Sequence, residues 1–526
     1  PQNQGAEIAL LSTCTVADYP NLLALSTANG NAYISDQFSG GPSGRATAYV
    51  DDSAAPGGFG SALAPYQTIG AGVGNTLPGA TVQVAAGTYT EQVSVNGKNL
   101  TVSGAGAGST IVQSPLTLAE IFNTGVSNKP VLSAVGASSV VFEDMTVDGL
   151  GLGNSNYRMQ GVAYWNAGGK VEDMTITGIR ETPMSGSQHG VGVYSFNNTG
   201  GPYALECSWL TVNDYQKNAF ALSGNGMSVN VHDCVADGSG YVGFIAQNGV
   251  QVSFGASGTV SNCAITDMGY TPATAVASGL LVYQPGGPVI ASGLTGLNAI
   301  SNVQAPVSWY DGSGSLTGIE TTGGANFGPI FVGNFTALAA HAGGPSSRTA
   351  AGGARVPASP LEEVAAVSSD GASAFSSYSV TISNGCLTGS DASGTVGVYA
   401  YSGGGPLSVL VQNTNLHDWD YGLLADGAAV TLTATDNSVQ SNVTAGYDNT
   451  LSGAAQNAES NWWGHAAGPA GAGDDVLGAN VDYTPWLVSG TDLYPGCGFT
   501  PLADNQVTVG PAPGCLSIGN PCITIP

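Results

Sequence analysis

Asp144-Met145-Thr146-Val147 returns one stretch later as Asp173-Met174-Thr175-Ile176, and this return decides how the chain folds. Val147 and Ile176 are apolar anchors 29 residues apart, each closing a short β-branched run. Extending the alignment by one anchor per unit gives Val212, Val235 and Ile265, and after a gap Leu387, Leu416 and Val439. The remaining spacings are 36, 23 and 30, then 29 and 23. Three residues before the anchors stand Asp144, Asp173, Trp209, His232, Asn262, Asn384, Asn413 and Asp436, mostly Asp or Asn. Helical periodicity is almost absent between about residues 80 and 460.

A unit of ~23 residues with loops inserted into some copies explains spacings that vary upward from 23. Such units coil. Each turn buries its inward face against the turns above and below, while short polar side chains satisfy backbone groups at the bends. The fold class predicted is all-β, a parallel β-helix of roughly 14 turns, on the order of 65 Å long at ~4.8 Å per turn. An antiparallel sandwich would call for Asn-Gly or Asp-Gly hairpin turns at intervals of about 8 to 12 residues, and these are sparse.

The chain has 526 residues with 79 Gly, 35 acidic and 9 basic side chains, so its formal net charge is -26. Nine cations spread over that length cannot make the basic stripe that phosphates require, which excludes nucleic acid as a partner. Hydrophobic content of 42% is enough to fill a core. No apolar run is long enough for a transmembrane segment, and Pro1-Gln2-Asn3-Gln4 carries no signal-peptide features, so a soluble mature chain is expected. Eight Cys without a CxxC pair point to disulfides or buried thiols in an extracellular or cell-surface protein.

The segments Tyr49-Val50-Asp51-Asp52-Ser53, Pro65-Tyr66-Gln67-Thr68-Ile69 and Thr81-Val82-Gln83-Val84-Ala85-Ala86-Gly87-Thr88-Tyr89-Thr90-Glu91 resemble the opening of secreted bacterial right-handed parallel β-helix proteins of the pectin-lyase-like fold. Asn461-Trp462-Trp463-Gly464 is similar to a phrase recurring in bacterial β-helix surface proteins. The resemblance spans about residues 48 to 488. It implies a right-handed coil with a short capping helix within Pro65 to Gly74, and it carries no single activity.

The organisation expected is therefore an N-terminal cap over residues 1–47 with Cys14, a β-helix over 48–488, and a Pro/Gly-rich tail over 489–526 with Cys497, Cys515 and Cys522. A loop insertion breaks the repeat at 339–376. The terminal Ile525-Pro526 is similar to the start of a surface-sorting signal. Cys234 and Cys263, offset by one relative to their anchors, are expected as buried free thiols facing opposite sides.

Parallel β-helices that cleave pectin carry Asn-Thr-Asp, Asp-Asp, Gly-His-Gly and Arg-Ile-Lys on adjacent turns, and that set does not occur here. Gln188-His189-Gly190 is the nearest approach to its histidine motif. Asp214 and Lys217 form a candidate groove pair. Asp418 and Asp420, with His417 beside them, read as candidate Ca²⁺ ligands if they share a strand face, and Asp474-Asp475 are a second candidate pair. Trp462-Trp463 is expected to seal the last turn.

No catalytic residue is assigned at this level, and no cofactor beyond Ca²⁺ is implied. Two functions follow. The first is an extracellular structural protein, a homo-oligomeric or self-assembling rod in filament, sheath or matrix; the alternative is a secreted polysaccharide hydrolase or lyase that binds glycan in a groove along the rod. A polyuronate shares the sign of the protein's charge, which favours a neutral glycan in the second case.

Overall fold

The computed structural model describes residues 45–322, 330–335, 376–469, 472–494 and 496–502, together with the backbone of short strands at 25–28, 31–34, 348–349, 355–356 and 506–507. Within them the chain winds as a right-handed parallel β-helix with three faces per turn. One turn runs through Val140–Glu143, Thr146–Asp148 and Met159–Trp165. The next repeats it with Gly169–Glu172, Thr175–Thr177 and Val191–Asn197, each strand parallel and in register with the one before. The third face is a 14-stranded sheet in which all strands except the side strand Phe122–Asn123 stack one turn apart. Of the expected segments, nearly all of the loop 339–376 and of the cap 1–47 with Cys14, and all of Cys515, Cys522 and Ile525-Pro526, lie outside the described residues.

Side chains alternate in and out along each strand. Val162, Val193, Phe220, Val250, Leu280 and Val307 stack as one inward column of the third face and are fully buried. The outward side of this face is also apolar over several turns, where Leu281, Tyr283, Tyr310, Phe331, Tyr399 and Leu424 form a second buried cluster. Burial on both sides yields runs such as Ser278-Gly279-Leu280-Leu281-Val282-Tyr283, in which the period of two is not visible.

The Asp/Asn column has a backbone cause. At the corner between the first and second faces the chain needs one residue with positive φ, and Asp144, Asp173, Asp233, Asn262, Asn384, Asn413 and Asp436 all lie between 50° and 58°. Asp and Asn tolerate this left-handed conformation better than other side chains with a Cβ. Trp209 holds the same conformation at 57°.

One turn of the sequence alignment is corrected here. Val212 pairs with Ala236, and Ala236 with Ile265, so the anchor is Ala236 and the corner residue Asp233. Val235 is 37% exposed and Ala236 only 1%. The shift puts Cys234 and Cys263 at the same position of successive turns, where Met145, Met174 and Leu210 also point inward. Both are buried free thiols as expected, but they share one side and do not face opposite ones.

Toward the C-terminal end this inward corner column turns polar. Asn437 Nδ2 donates to Asn461 Oδ1 at 2.9 Å, Asn437 Oδ1 accepts from Thr414 N at 3.0 Å, and Asn461 Nδ2 donates to Ala434 O at 2.8 Å. Asn461 thus belongs to a buried amide ladder, and Trp463 beside it is fully buried against the last turns.

At the other end the helix Ile69–Gly74 covers the first turn. Thr68 caps it by accepting from Ala71 N, Glu91 accepts from Ile69 N and Gly70 N at 2.7 and 2.9 Å, and Lys98 Nζ donates to Val73 O at 2.5 Å. An acid at the N-terminus and a base at the C-terminus of the helix complement its dipole. Gly72 presses on Val82 and Val50, and a Cβ there would come within 2.8 Å of both.

Candidate functional site

The loops that lead from the second face to the third carry the insertions. Residues 149–158, 178–190, 213–217 and 243–247 bridge successive pairs of strands and stack as a wall along one edge of the rod. Buried glutamines hold this wall. Gln216 accepts from Glu181 N at 2.9 Å and donates to Ser187 O at 2.8 Å, and Gln247 Nε2 donates to Tyr215 O at 2.7 Å. The 36-residue step between Ile176 and Val212, the longest within either run of the repeat, contains the 178–190 loop.

That loop folds back so that Glu181 meets His189. His189 is 2% exposed and its Nε2 lies 3.0 Å from Glu181 Oε1. A carboxylate only accepts, so Nε2 carries the proton, and Nδ1 of the neutral ring presents a lone pair. Nδ1 is buried and has no hydrogen-bond partner among the described residues. Ser185 Oγ donates to Glu181 Oε2. Burial pushes the Glu181 carboxyl up, but the hydrogen bonds from His189 and Ser185 outweigh it and hold the group below its usual range. The ring of Tyr157 covers the imidazole at 4.8 Å between centroids. Gly190 is required here, since at φ 87° a Cβ would stand 2.6 Å from Ile179 O and 2.7 Å from Gln216 Cβ.

His189 lines a small cavity with Arg158, Met159, Gln160, Gly190, Val191 and Tyr194. Arg158 is 9% exposed, and its Nε and Nη2 donate to Asn128 Oδ1 at 3.3 and 3.2 Å. Gln160 Nε2 shares the same acceptor at 2.9 Å. No carboxylate pairs with Arg158 among the described residues. A buried guanidinium facing only an amide oxygen is poorly compensated, and a ligand carboxylate would compensate it.

The residues singled out from the sequence fall differently. Asp214 accepts from Arg180 Nε at 2.5 Å, and Lys217 Nζ donates to Ala246 O at 2.8 Å. Asp418 and Asp420 do not share a strand face, because the strand ends at His417 and Asp418 sits in a left-handed bend with φ 64°. Asp418 accepts from His417 Nδ1 at 2.8 Å. Asp420 is buried and takes donors from Gly394 N at 2.5 Å and from Thr444 Oγ1. Asp474 accepts from Asn442 N and Nδ2 at 2.9 and 2.7 Å, and burial raises its pKa; the Asp475 carbonyl accepts from Gly446 N. Protein donors thus occupy Asp420 and Asp474, and no three His, Cys, Asp or Glu side chains converge as metal ligands among the described residues.

Sequence reasoning reached His189 without a partner, since Glu181 is not its strand neighbour but lies eight residues earlier in the same loop. Arg158, Gln160 and Tyr157 were not singled out. Besides Gln188-His189-Gly190, the signal that marked this region was the 36-residue step, which located the loop and not its fold.

No known protein family matches the chain, and no curated protein is similar enough to match it. Solved structures similar to it include the A-module of mannuronan C-5 epimerase AlgE4 from Azotobacter vinelandii, with 12% identity, a TM-score of 0.35, and coverage of 78% of this chain and 91% of that one. Pectin methylesterase PemA from Erwinia chrysanthemi shares 11% identity with a TM-score of 0.24 over 67% of this chain and 80% of its own. A pectin methylesterase mutant in complex with a hexasaccharide shares 10% identity with a TM-score of 0.26 over 52% and 78%. These likenesses concern the fold and carry nothing about the chemistry of the wall of loops.

Proposed function

We propose that this chain is an enzyme acting on an acidic glycan, with the uronate carboxylate held by Arg158 and a ring proton handled by His189. The observation that carries this reading is that Arg158, a buried guanidinium with no carboxylate partner among the described residues, and His189, whose buried Nδ1 has no hydrogen-bond partner among them, line one small cavity, which must open to admit a sugar ring. Arg158 neutralises the carboxylate, which makes the adjacent C5 proton acidic, and Nδ1 of His189 accepts it. Glu181 holds the imidazole in the tautomer that leaves Nδ1 bare and stabilises the imidazolium that forms. The resulting carbanion either expels the 4-linked sugar, giving an unsaturated uronate, or regains a proton at C5. Hydrolysis by paired carboxylates is less well supported, since Glu181 is bound to His189 and Asp214 to Arg180.

The net charge of -26 repels a polyuronate at long range. That repulsion is screened beyond ~10 Å at ordinary ionic strength, whereas the contact with Arg158 is local. The Michaelis constant should therefore fall as salt is raised. An extracellular glycan as target accords with the extracellular or cell-surface location expected from the sequence. The self-assembling rod is the weaker reading, because the helix Ile69–Gly74 covers the first turn and strand pairing at that end would have to displace it.

The test is incubation with oligomannuronate, oligoguluronate and oligogalacturonate, reading the absorbance of unsaturated products and, in D₂O, deuterium uptake at C5 by NMR. Turnover of one of them, lowered about 100-fold or more by His189→Gln and shifted to higher KM by Arg158→Gln, is expected. Neither unsaturation nor deuterium uptake with any of the three, or full activity in His189→Gln, would overturn the proposal.

A further inference from the structure

We infer that Cys386 and Cys497 form a disulfide that fastens residues 496–499 across the second face of the β-helix. This inference is independent of the glycan reading. Cys386 occupies the outward position next to the anchor Leu387, in register with Glu320 on one side and Asn415 on the other. Residues 496–499 run over it as a strap. Phe499 N donates to Asn413 O at 2.8 Å, Asn415 Nδ2 to Gly498 O at 2.5 Å, and Asn413 Nδ2 to Phe499 O at 3.2 Å. Phe499 itself is buried.

The strap sets the two sulfurs side by side. Cys386 Sγ lies 3.2 Å from Gly498 N and 3.8 Å from Gly496 O, the residues on either side of Cys497. Cys497 Sγ is 3.3 Å from Ile319 O, one turn away from Cys386 on the same face. The Cys386 thiol is drawn down to about 7 by the hydrogen bond from Cys497, with the Gly498 N–H adding to it against the cost of burial. The lowered thiol forms its thiolate more readily, which makes Cys386 the attacking partner in exchange.

The step needs a two-electron oxidant, and a small-molecule disulfide such as oxidised glutathione supplies it. The Cys386 thiolate attacks that disulfide, forming a mixed disulfide and releasing one thiolate. Cys497 loses its proton, attacks Cys386 Sγ and releases the second. Two protein thiols are oxidised and one disulfide is reduced to two thiols. The bond closes a loop of about 110 residues and ties the strap to the Cys386 strand. Cys207, Cys234 and Cys263 are buried inside the coil, out of reach of the oxidant, and act as internal controls even though Cys234 and Cys263 are hydrogen-bonded to each other.

The experiment uses the full chain. Protein incubated with oxidised glutathione, and a portion then reduced, is alkylated, digested without reductant and mapped by mass spectrometry, with amide exchange followed at Phe499. The expected result is a Cys386–Cys497 linked peptide in the oxidised sample only, and exchange at the Phe499 amide slowed roughly 30-fold on oxidation, the low end of what a disulfide contributes. Cys386→Ser and Cys497→Ser should each abolish that difference. The inference is overturned if both cysteines are alkylated after oxidation, if either is joined to a different cysteine, or if exchange at Phe499 is the same in both states of the unsubstituted protein, a comparison that does not depend on a variant folding.

Discussion

The left-handed corner makes a prediction that can be read at one position. Asp144 has φ 58°, its backbone N and O are engaged with Glu172 O and Gly106 N, and its carboxylate forms no hydrogen bond with the described residues. Replacing it therefore changes the cost of the conformation and little else. An ordinary residue with a Cβ is destabilised in this region by roughly 1–2 kcal/mol, and a β-branched one by the upper part of that range. Asn and Gly avoid most of the cost. Asn also removes the like charge that, behind burial and Glu172, helps to raise the pKa of Asp173 one turn on. The expected order of stability is Asp144→Asn at or slightly above the unsubstituted protein, Asp144→Gly close to it, and Asp144→Val about 2 kcal/mol below. Urea denaturation followed by far-ultraviolet circular dichroism measures this as a shift of the midpoint at constant slope. If Val were as stable as Asn, backbone conformation would not be what selects Asp and Asn at these corners. The recurring polar residue would then need another cause.

Two further outcomes follow from buried carboxylates. Burial is the leading cause that raises the pKa values of Glu91, Asp311, Asp426, Asp436 and Asp474, so each binds a proton more readily folded than unfolded. Their ionised forms cost stability at neutral pH, and that cost disappears as pH falls toward the ordinary values of 3.8 to 4.5. Glu181 and Glu206, held low by their partners, act in the opposite sense, contributing stability above 4.5 that is lost at lower pH. Unfolding midpoints should thus rise as pH falls from 7 toward the ordinary carboxylate values and turn down below them, and a monotonic loss from pH 7 downward would contradict the balance. Asp420→Ala strips two donors, Gly394 N and Thr444 Oγ1, of their acceptor and should cost about 3 kcal/mol. That cost is expected to be the same with Ca²⁺ or with a chelator in the denaturation series; a loss seen only in Ca²⁺ would make Asp420 a metal ligand.

The acidic character of the chain and the proposed site are reconciled by scale. Of the basic side chains, Lys170 bridges Glu172 and Glu206, Arg180 holds Asp214, and Lys98 caps a helix. Each is bound to an acceptor of the protein with which it is electrostatically matched. Arg158 is the buried exception, held by an amide oxygen. Its replacement by Gln should therefore change ligand binding more than stability, whereas removal of a paired cation leaves an acid behind.

The sequence by itself determined the coil. Anchor spacing, β-branched runs and the Asp/Asn column all report local demands repeated turn after turn, namely an inward apolar position and a left-handed corner. Where that local signal weakened, the register slipped: His232-Asp233-Cys234-Val235-Ala236 offers two acceptable alignments, and only pairing with Thr211 and Val212 selects one. The doubly buried third face was also hidden, because apolar residues on both sides remove the alternation. The candidate site was decided by tertiary structure alone. His189 and Glu181 meet through a loop whose path is fixed by Gln216 on the next turn, and Arg158 reaches the same cavity from the turn before. Residues on different turns are brought together by stacking, which fixes their positions to within a hydrogen bond but leaves no spacing rule in the chain, since each loop varies freely in length. Cys386 and Cys497 show the same thing at longer range, over a hundred residues apart in sequence and adjacent across one face of the rod.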